Sequence, residues 1–175
     1  MTKEAFMSFY LGTPYEKGAS ECYDAINKAL TEIGINSPLT LIGALATVRT
    51  EVGRIFKPVE EISSGSDYEG RSDLGNQVPG FGRKYKGRGY IQLTGYYNYN
   101  NYGDKIGVDL VCHPDLALTV GNSAKILAVY FKDRGVNIAC EAKDWTKVRK
   151  LVNGGTNGLD SFLSVINQYY GKINF

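Results

Sequence analysis

The sequence is poor in the residues that many metal and nucleophile sites require. Its 175 residues include one histidine, His113, and three widely spaced cysteines, Cys22, Cys112 and Cys140. A single histidine excludes a zinc centre built from several imidazoles, and the cysteine spacing matches no metal or disulfide framework. We therefore expect no metal and no cofactor, and carboxylates become the leading candidates for acid–base chemistry.

Strong charge of one sign and long hydrophobic runs are also missing. The 20 Lys and Arg residues nearly balance the 18 Asp and Glu residues, which leaves a net charge of +2. So small an excess does not favour a nucleic-acid partner. No window approaches the roughly 18 apolar residues of a membrane span, so we expect no membrane insertion. The N-terminal segment also lacks the apolar stretch of a signal peptide.

The patterning predicts one mainly α-helical catalytic domain over residues 1–175, and we expect a monomer. Apolar residues make up 43% of the chain, enough to bury a core. Their spacing predicts helices over 20–34, from Ser37-Pro38 to about Val52, over 122–134, from Asp144 to Asn153 and over 159–170. The segment 62–89 contains seven glycines and is predicted to be a long loop, and residues 90–94 a short extended or β segment.

Glu51 is the most informative acidic residue. It continues the apolar line of Leu41, Leu45 and Val48 near the end of the second predicted helix. Burial and the negative end of the helix dipole would both disfavour its ionised form, which suits a general acid. The alternative is a structural glutamate that is paired with a neighbouring arginine or exposed at a frayed helix end.

A second carboxylate follows at Glu60 or Glu61, after a turn that could bring it back toward Glu51. Two carboxylates in different protonation states are the minimum for cleaving a glycosidic bond. Residues 86–103 then combine glycine, tyrosine, glutamine and asparagine, a mixture that suits a saccharide groove. The same mixture could be an extended surface segment or a platform for stacking single-stranded bases.

Three motifs in this order resemble the family 19 glycoside hydrolases, which include chitinases and a branch of phage endolysins. The motifs are A-T-V-R-T-E-V-G, then G-R-G-Y-I-Q-L-T-G-x-x-N-Y, then V-N-G-G-x-N-G-L. The resemblance covers residues 38–165. It implies a lysozyme-like, two-lobed helical fold with a substrate cleft, and metal-free hydrolysis of β-1,4 bonds next to N-acetylhexosamines with inversion.

The resemblance also implies roles for individual residues. Glu51 corresponds to the general acid and Glu60 to the general base, with Glu61 and Glu69 as the other candidates for the base. Thr94 corresponds to the residue that helps to hold the attacking water. Further residues of the same motifs are predicted to bind substrate: Gln92, Tyr97, Asn98, Asn153, Arg88 and Tyr90.

Two departures from the family pattern stand out. Thr50 precedes the general acid where histidine is common, and Gly158-Leu159-Asp160-Ser161 lacks the arginine that usually follows an acidic residue there. An arginine-mediated contact from that turn is therefore in doubt.

The expected partner is bacterial peptidoglycan. We expect a phage endolysin that is made in the host cytoplasm without a signal peptide and is released to the cell wall by a holin. This role agrees with the lack of a signal-peptide stretch and of a disulfide framework in the sequence. A chitinase acting on N-acetylglucosamine polymers is the first alternative, and a catalytically inactive saccharide-binding protein is the second.

Overall fold

The computed structural model describes residues 1–172, and this part of the chain is mainly helical, as predicted; residues 173–175 of the predicted domain lie outside it. The α-helices are α1 (Lys3–Met7), α2 (Glu16–Glu32), α3 (Pro38–Glu51), α4 (Phe81–Lys84), α5 (Tyr96–Ile106), α6 (Val120–Asp133), α7 (Val136–Glu141), α8 (Trp145–Asn153) and α9 (Leu159–Tyr170). The strands are β1 (Val59–Glu60) and β2 (Arg88–Gly89). None of the described helices is long and apolar enough to cross a membrane.

All five predicted helices are present, as α2, α3, α6, α8 and α9. Ser37 caps α3 as predicted, because its hydroxyl accepts a hydrogen bond from the Thr40 N–H at 3.0 Å. Asp144 caps α8 in the same way, through the Lys147 N–H at 2.9 Å. Helix α2 begins earlier than predicted, and Tyr15 rather than Ser20 occupies its N-cap position.

The segment after Gly89 differs from the prediction. Residues 90–92 form a turn, and Leu93 bridges back to Arg88, so the predicted strand over 90–94 is wrong. The polar, tyrosine-rich residues that follow form helix α5, with Tyr99 and Tyr102 buried. These two tyrosines are three residues apart and so share one helical face, which acts as a core face although its residues are not aliphatic.

Two hydrophobic clusters divide the molecule into two lobes. The larger one joins buried side chains of α1, α2, α3, α6, α7, α8 and α9. The smaller one contains Tyr85, Leu93, Tyr99, Tyr102, Leu110, Ala117 and Ile126. Ile91 and Tyr130 pack against both clusters and lie where the lobes meet.

The antiparallel strands β1 and β2 enclose the long glycine-rich segment. Their register pairs Val59 with Gly89 and Glu60 with Arg88. The enclosed segment is not structureless, because two short 3-10 helices, Ser66–Tyr68 and Ser72–Leu74, and α4 lie within it. Buried Asn76 fastens it: its amide nitrogen donates to the Tyr68 carbonyl at 3.1 Å, and its amide oxygen accepts the Tyr96 N–H at 3.0 Å.

Candidate active site

Glu51 occupies the last position of α3, where the apolar line of the helix reaches the surface. Its side chain is 20% exposed and forms an ion pair with Arg149, whose Nη1 donates to Glu51 Oε1. The expected apolar surroundings are therefore wrong in one respect, because a guanidinium from another helix contacts the carboxylate. The pairing involves neither Arg49 nor Arg54, the two arginines that flank Glu51 in the sequence.

Arg149 is a site residue that sequence reasoning missed. It lies on α8 with its side chain only 6% exposed, and its Nε donates to the Asn157 carbonyl at 2.7 Å. Gly158 makes room for it, since a Cβ at Gly158 would lie 3.2 Å from Arg149 Nη2. Arg149 follows Trp145 by four residues and precedes Asn153 by four, so helical spacing alone could have placed it on their face.

Glu60 extends from β1 toward two cations. Its carboxylate lies 2.7 Å from Lys86 Nζ and 2.8 Å from Arg88 Nε. The hydrogen bond from Lys86, together with the charge of Arg88, lowers the pKa of Glu60 below its usual value. Glu60 is therefore held ionised, the state predicted for a general base.

Glu61 directly follows β1, and its backbone N–H donates to the Gly87 carbonyl at 2.9 Å. Its carboxylate accepts the Gly87 N–H at 2.8 Å and the Tyr68 hydroxyl at 3.1 Å, and it also accepts the Ser63 hydroxyl. These donors are neutral, and two of them belong to the loop that follows Glu61. The contacts tie this loop to Gly87.

Glu61, Gln92 and Thr94 converge on Gly87, and we call these three side chains the polar corner. A Cβ at Gly87 would lie 2.7 Å from Glu61 Oε2, 2.8 Å from Gln92 Oε1 and 3.3 Å from Thr94 Oγ1. Only a residue without a side chain leaves space for the three oxygens. The structure thus brings Thr94 to Glu61, whereas the contacts of Glu60 do not include Thr94.

Gln92 is locked in an unusual backbone conformation, with φ at +52°. Its amide nitrogen donates to the Val59 carbonyl and the Gly89 carbonyl, each at 3.0 Å. The Thr94 hydroxyl donates to the Gln92 carbonyl at 2.8 Å. A non-glycine residue at positive φ costs free energy and persists where its surroundings enforce it, often at functional sites.

Two residues predicted to bind substrate, Tyr90 and Arg88, are buried. Tyr90 is fully buried, and its hydroxyl donates to the Phe56 carbonyl at 3.0 Å. Burial raises the pKa of Tyr90 far above its usual value. Arg88 is 6% exposed, and its Nη1 donates to the Lys84 carbonyl at 2.8 Å and the Tyr99 hydroxyl at 3.0 Å. Both are held by the protein and have little surface to offer a polysaccharide.

The remaining predicted residues are accessible. Tyr97 is 53% exposed at the start of α5, and the Asn98 amide nearby donates to the Thr94 carbonyl at 2.7 Å. Asn153 is exposed at the end of α8, and its amide donates to the Asn157 carbonyl at 3.3 Å. Glu69 accepts the Gly80 N–H at 3.2 Å in the glycine-rich loop and does not contact the polar corner.

Within residues 1–172 no group of three or more His, Cys, Asp or Glu side chains is arranged to hold a metal ion. The predicted acid–base residues Glu51 and Glu60 lie on different parts of the fold. The first carboxylate lies at the end of a helix of the larger cluster. The second is tied through Arg88 to Tyr99 of the smaller cluster.

A mainly helical domain of two lobes, with one carboxylate by each lobe, has the architecture of lysozyme-like proteins. A family model described as "Chitinase class I" (family 19 glycoside hydrolases) matches residues 43–136, more than half of the sequence. The chain therefore belongs to glycoside hydrolase family 19.

Solved structures agree with this assignment at the level of the fold. The chain superimposes on a bacterial family 19 chitinase with a TM-score of 0.74 and 19% identity, over 98% of this chain and 93% of that one. At this identity the similarity concerns the fold, and it confirms the predicted lysozyme-like architecture.

Curated relatives match over shorter stretches. A glycosyl hydrolase family 19 domain-containing protein of Haemophilus influenzae is 34% identical over 100 residues, which are 57% of this chain and 48% of that protein. An inactive chitinase-like protein of Hevea brasiliensis is 43% identical over 60 residues, 34% of this chain and 18% of that protein. The match thus spans about half the length of the first relative and less than a fifth of the second.

Proposed function

We propose that this chain is an endolysin-like glycosidase that cleaves β-1,4 bonds of bacterial peptidoglycan with inversion. The observation that carries the proposal is the pair of differently held carboxylates, Glu51 beside Arg149 and Glu60 between Lys86 and Arg88. Membership of family 19 supports glycoside hydrolysis as the reaction. In this role the enzyme would be made in the host cytoplasm and reach the wall after holin-type release.

Glu51 is proposed as the general acid. Arg149 Nη1 donates to Oε1 of the carboxyl group, and among residues 1–172 no hydrogen bond to Oε2 is found. A proton on Oε2 therefore leaves the hydrogen bond from Arg149 to Oε1 in place, because a protonated carboxyl group still accepts at its carbonyl oxygen. Glu51 can then protonate the glycosidic oxygen while Arg149 fixes its orientation.

Glu60 is proposed as the general base. Lys86 and Arg88 keep it ionised, and its side chain is 36% exposed, so water can reach it. Glu61 is the competing candidate because it shares the polar corner with Thr94, the residue expected to hold the attacking water. We favour Glu60 because the cations Lys86 and Arg88 hold it ionised, whereas the donors to the Glu61 carboxylate are the neutral Gly87 N–H and the Tyr68 and Ser63 hydroxyls.

Matched glutamine variants test these roles. We expect Glu51→Gln and Glu60→Gln to lower kcat by at least about 100-fold with the fold intact by circular dichroism, because each removes one proton-transfer group. Glu61→Gln should retain most of kcat and lower the melting temperature by loosening its loop. Loss of kcat in a well-folded Glu61→Gln protein, with Glu60→Gln still active, would transfer the base role to Glu61.

Product analysis separates the proposed function from its alternatives. Purified peptidoglycan and chitin oligosaccharides are digested in parallel, and the new reducing ends are identified by mass spectrometry. Cleavage of peptidoglycan alone is the expected result, and cleavage of chitin alone would indicate a chitinase. Binding to either polymer without new reducing ends would indicate an inactive saccharide-binding protein; the Hevea relative is named an inactive chitinase-like protein. Proton NMR of the first product anomer checks for inversion.

A further inference from the structure

A polar groove of about 580 Å³ lies next to Glu51 and outside the polar corner. One side comes from the end of α3 and the 3-10 helix Gly53–Ile55, and the other side from α9. The lining residues are Arg49, Thr50, Gly53, Arg54, Asp160, Ser161, Ser164, Val165 and Gln168. The proposed reaction does not use any of them.

The two arginines of the groove lack carboxylate partners. Within residues 1–172, no Asp or Glu oxygen lies within 4 Å of the guanidinium of Arg49 or Arg54, whereas Arg71 and Arg149 each have one carboxylate partner and Arg88 has two. Arg49 lies near the hydroxyl of Tyr10, which shares a 2.6 Å hydrogen bond with Tyr169. A guanidinium presents a planar fork of donors that can bind a carboxylate of a ligand with two hydrogen bonds.

The rest of the lining suits a peptide with both carboxylates and an amino group. Thr50, Ser161, Ser164 and Gln168 supply hydroxyl and amide groups that can pair with peptide N–H and C=O groups. Asp160 is the only acidic residue among those lining the groove, and it is exposed. It would repel a purely anionic ligand at close range, but it can pair with an amino group of the same peptide.

The groove is close enough to the proposed general acid to receive a branch of its substrate. Thr50 and Arg49 directly precede Glu51 on α3, so their Cα atoms lie within about 3 Å of it along the helix axis. Gly158 links the two regions, because a Cβ there would lie 3.2 Å from Arg149 Nη2 and 3.7 Å from Thr50 Cγ2.

We propose that this groove binds the stem peptide of peptidoglycan, so that the enzyme recognises the acidic peptide branch as well as the glycan. The proposal rests on the proposed function. Chitin carries no charged branch, whereas the stem peptide carries carboxylates and, at its diamino acid, a free amino group. An extended peptide advances about 3.3–3.6 Å per residue, so a few residues are enough to leave the glycan and reach both arginines.

The test compares one glycan with and without its stem peptides. The kcat/KM values are measured on soluble peptidoglycan chains and on the same chains after an amidase has removed the peptides. The ratio of interest is kcat/KM on the intact chains divided by kcat/KM on the peptide-free chains. For Arg54→Gln we expect this ratio to fall by about 10-fold, the range of one charge-assisted contact. Lys57→Gln removes the same charge from an exposed residue outside the groove and should leave the ratio unchanged.

A binding measurement keeps the proposal separate from the proposed function. A fluorescent stem tetrapeptide is titrated into the Glu51→Gln protein, with and without Arg54→Gln, so that no cleavage is needed. Binding weakened about 10-fold by Arg54→Gln and unaffected by Lys57→Gln supports the groove even if no glycosidase activity is found. The groove proposal would be overturned if Arg54→Gln left the kinetic ratio unchanged or lowered kcat/KM equally on both glycans. It would also be overturned if Arg54→Gln did not affect tetrapeptide binding.

Discussion

Arg149 and Glu51 form an ion pair between α8 and the end of α3, two elements 98 residues apart in the chain. The family pattern places an arginine after the acidic residue near position 160, and this chain has Ser161 there. A guanidinium nevertheless reaches the predicted general acid, from the helix before the Asn153-Gly154-Gly155 turn rather than from the helix after it. The doubt raised by the missing arginine is thereby answered by a different residue.

The Arg149 pair predicts a graded effect of substitution. Arg149→Met should lower the free energy of unfolding by about 3 kcal/mol, because Glu51 is left partly buried without its cation and the Asn157 carbonyl loses the shorter of its two hydrogen bonds. The kcat should fall more than 10-fold as the acid loses its orientation. Arg149→Lys keeps the charge and should recover part of both losses. Urea unfolding and steady-state kinetics measure them; an active and stable Arg149→Met protein would exclude a positioning role.

The ion pairs of Glu60 predict a pH-dependent contribution to stability. Its pKa is lower in the folded state than in the unfolded state, so ionised Glu60 stabilises the fold above its unfolded pKa of about 4.3. This contribution is lost as the pH falls through the folded pKa. Glu60→Gln should therefore unfold about 1 kcal/mol more easily at pH 7, a small value because Glu60 is partly exposed.

Chemical denaturation at pH 7 and near pH 3 checks the sign. The difference between the unsubstituted protein and Glu60→Gln should shrink at the lower pH. Glu32→Gln is the matched control, since the Glu32 carboxylate lies 3.8 Å from Lys28 on an exposed face of α2. Glu32→Gln should change the free energy of unfolding much less than Glu60→Gln does. A Glu60→Gln difference that grows toward low pH would contradict the ion-pair account.

The polar corner predicts that Gly87→Ala impairs activity more than stability. The new Cβ would displace the ends of the Glu61 and Gln92 side chains, which can shift without moving the backbone. We expect kcat to fall at least 10-fold with a loss of about 1 kcal/mol or less in unfolding free energy. Gly121→Ala serves as the control, because its Cβ would meet nothing within 4 Å. Full activity of Gly87→Ala would show that the corner has no part in catalysis.

The burial of Tyr90 predicts a structural role for its hydroxyl. Tyr90→Phe should lower the unfolding free energy by about 1–3 kcal/mol, because the buried Phe56 carbonyl loses its donor. The KM for peptidoglycan should stay the same. Tyr97→Phe, at an exposed ring of the same segment, should leave stability unchanged. A raised KM for Tyr90→Phe at normal stability would instead support the predicted role of Tyr90 in substrate binding.

The sequence predicted those helices whose apolar residues recur at helical spacing and whose ends carry capping residues. Apolar spacing and caps located α2, α3, α6, α8 and α9, and Ser37 and Asp144 cap their helices as expected. Helix α5 was missed because its core face consists of Tyr99 and Tyr102, whose partners come from residues 85, 93 and 110. Local propensity does not report contacts of that kind.

The candidate site was predictable in its residue types and less so in its contacts. The motifs placed Glu51, Glu60 and Thr94 in one region, but no spacing rule shows that Glu60 pairs with Lys86 while Glu61 points to Thr94. This difference depends on the pairing of β1 with β2, which sets Glu60 opposite Arg88 and leads the next residue, Glu61, to Gly87. The burial of Arg88 and Tyr90 is likewise set by tertiary packing.

The pairing of Glu60 with Arg88 also has an evolutionary consequence. The two residues close a loop that is held by the contacts of Asn76 and Glu61 and contains short helices. The entropic cost of closing a loop rises slowly, by about 0.6 kcal/mol for each doubling of its length. Insertions or deletions between β1 and β2 can therefore reshape this wall of the molecule at little thermodynamic expense. A change in the length of this loop need not move Glu60, because the pairing of β1 with β2 holds that residue opposite Arg88.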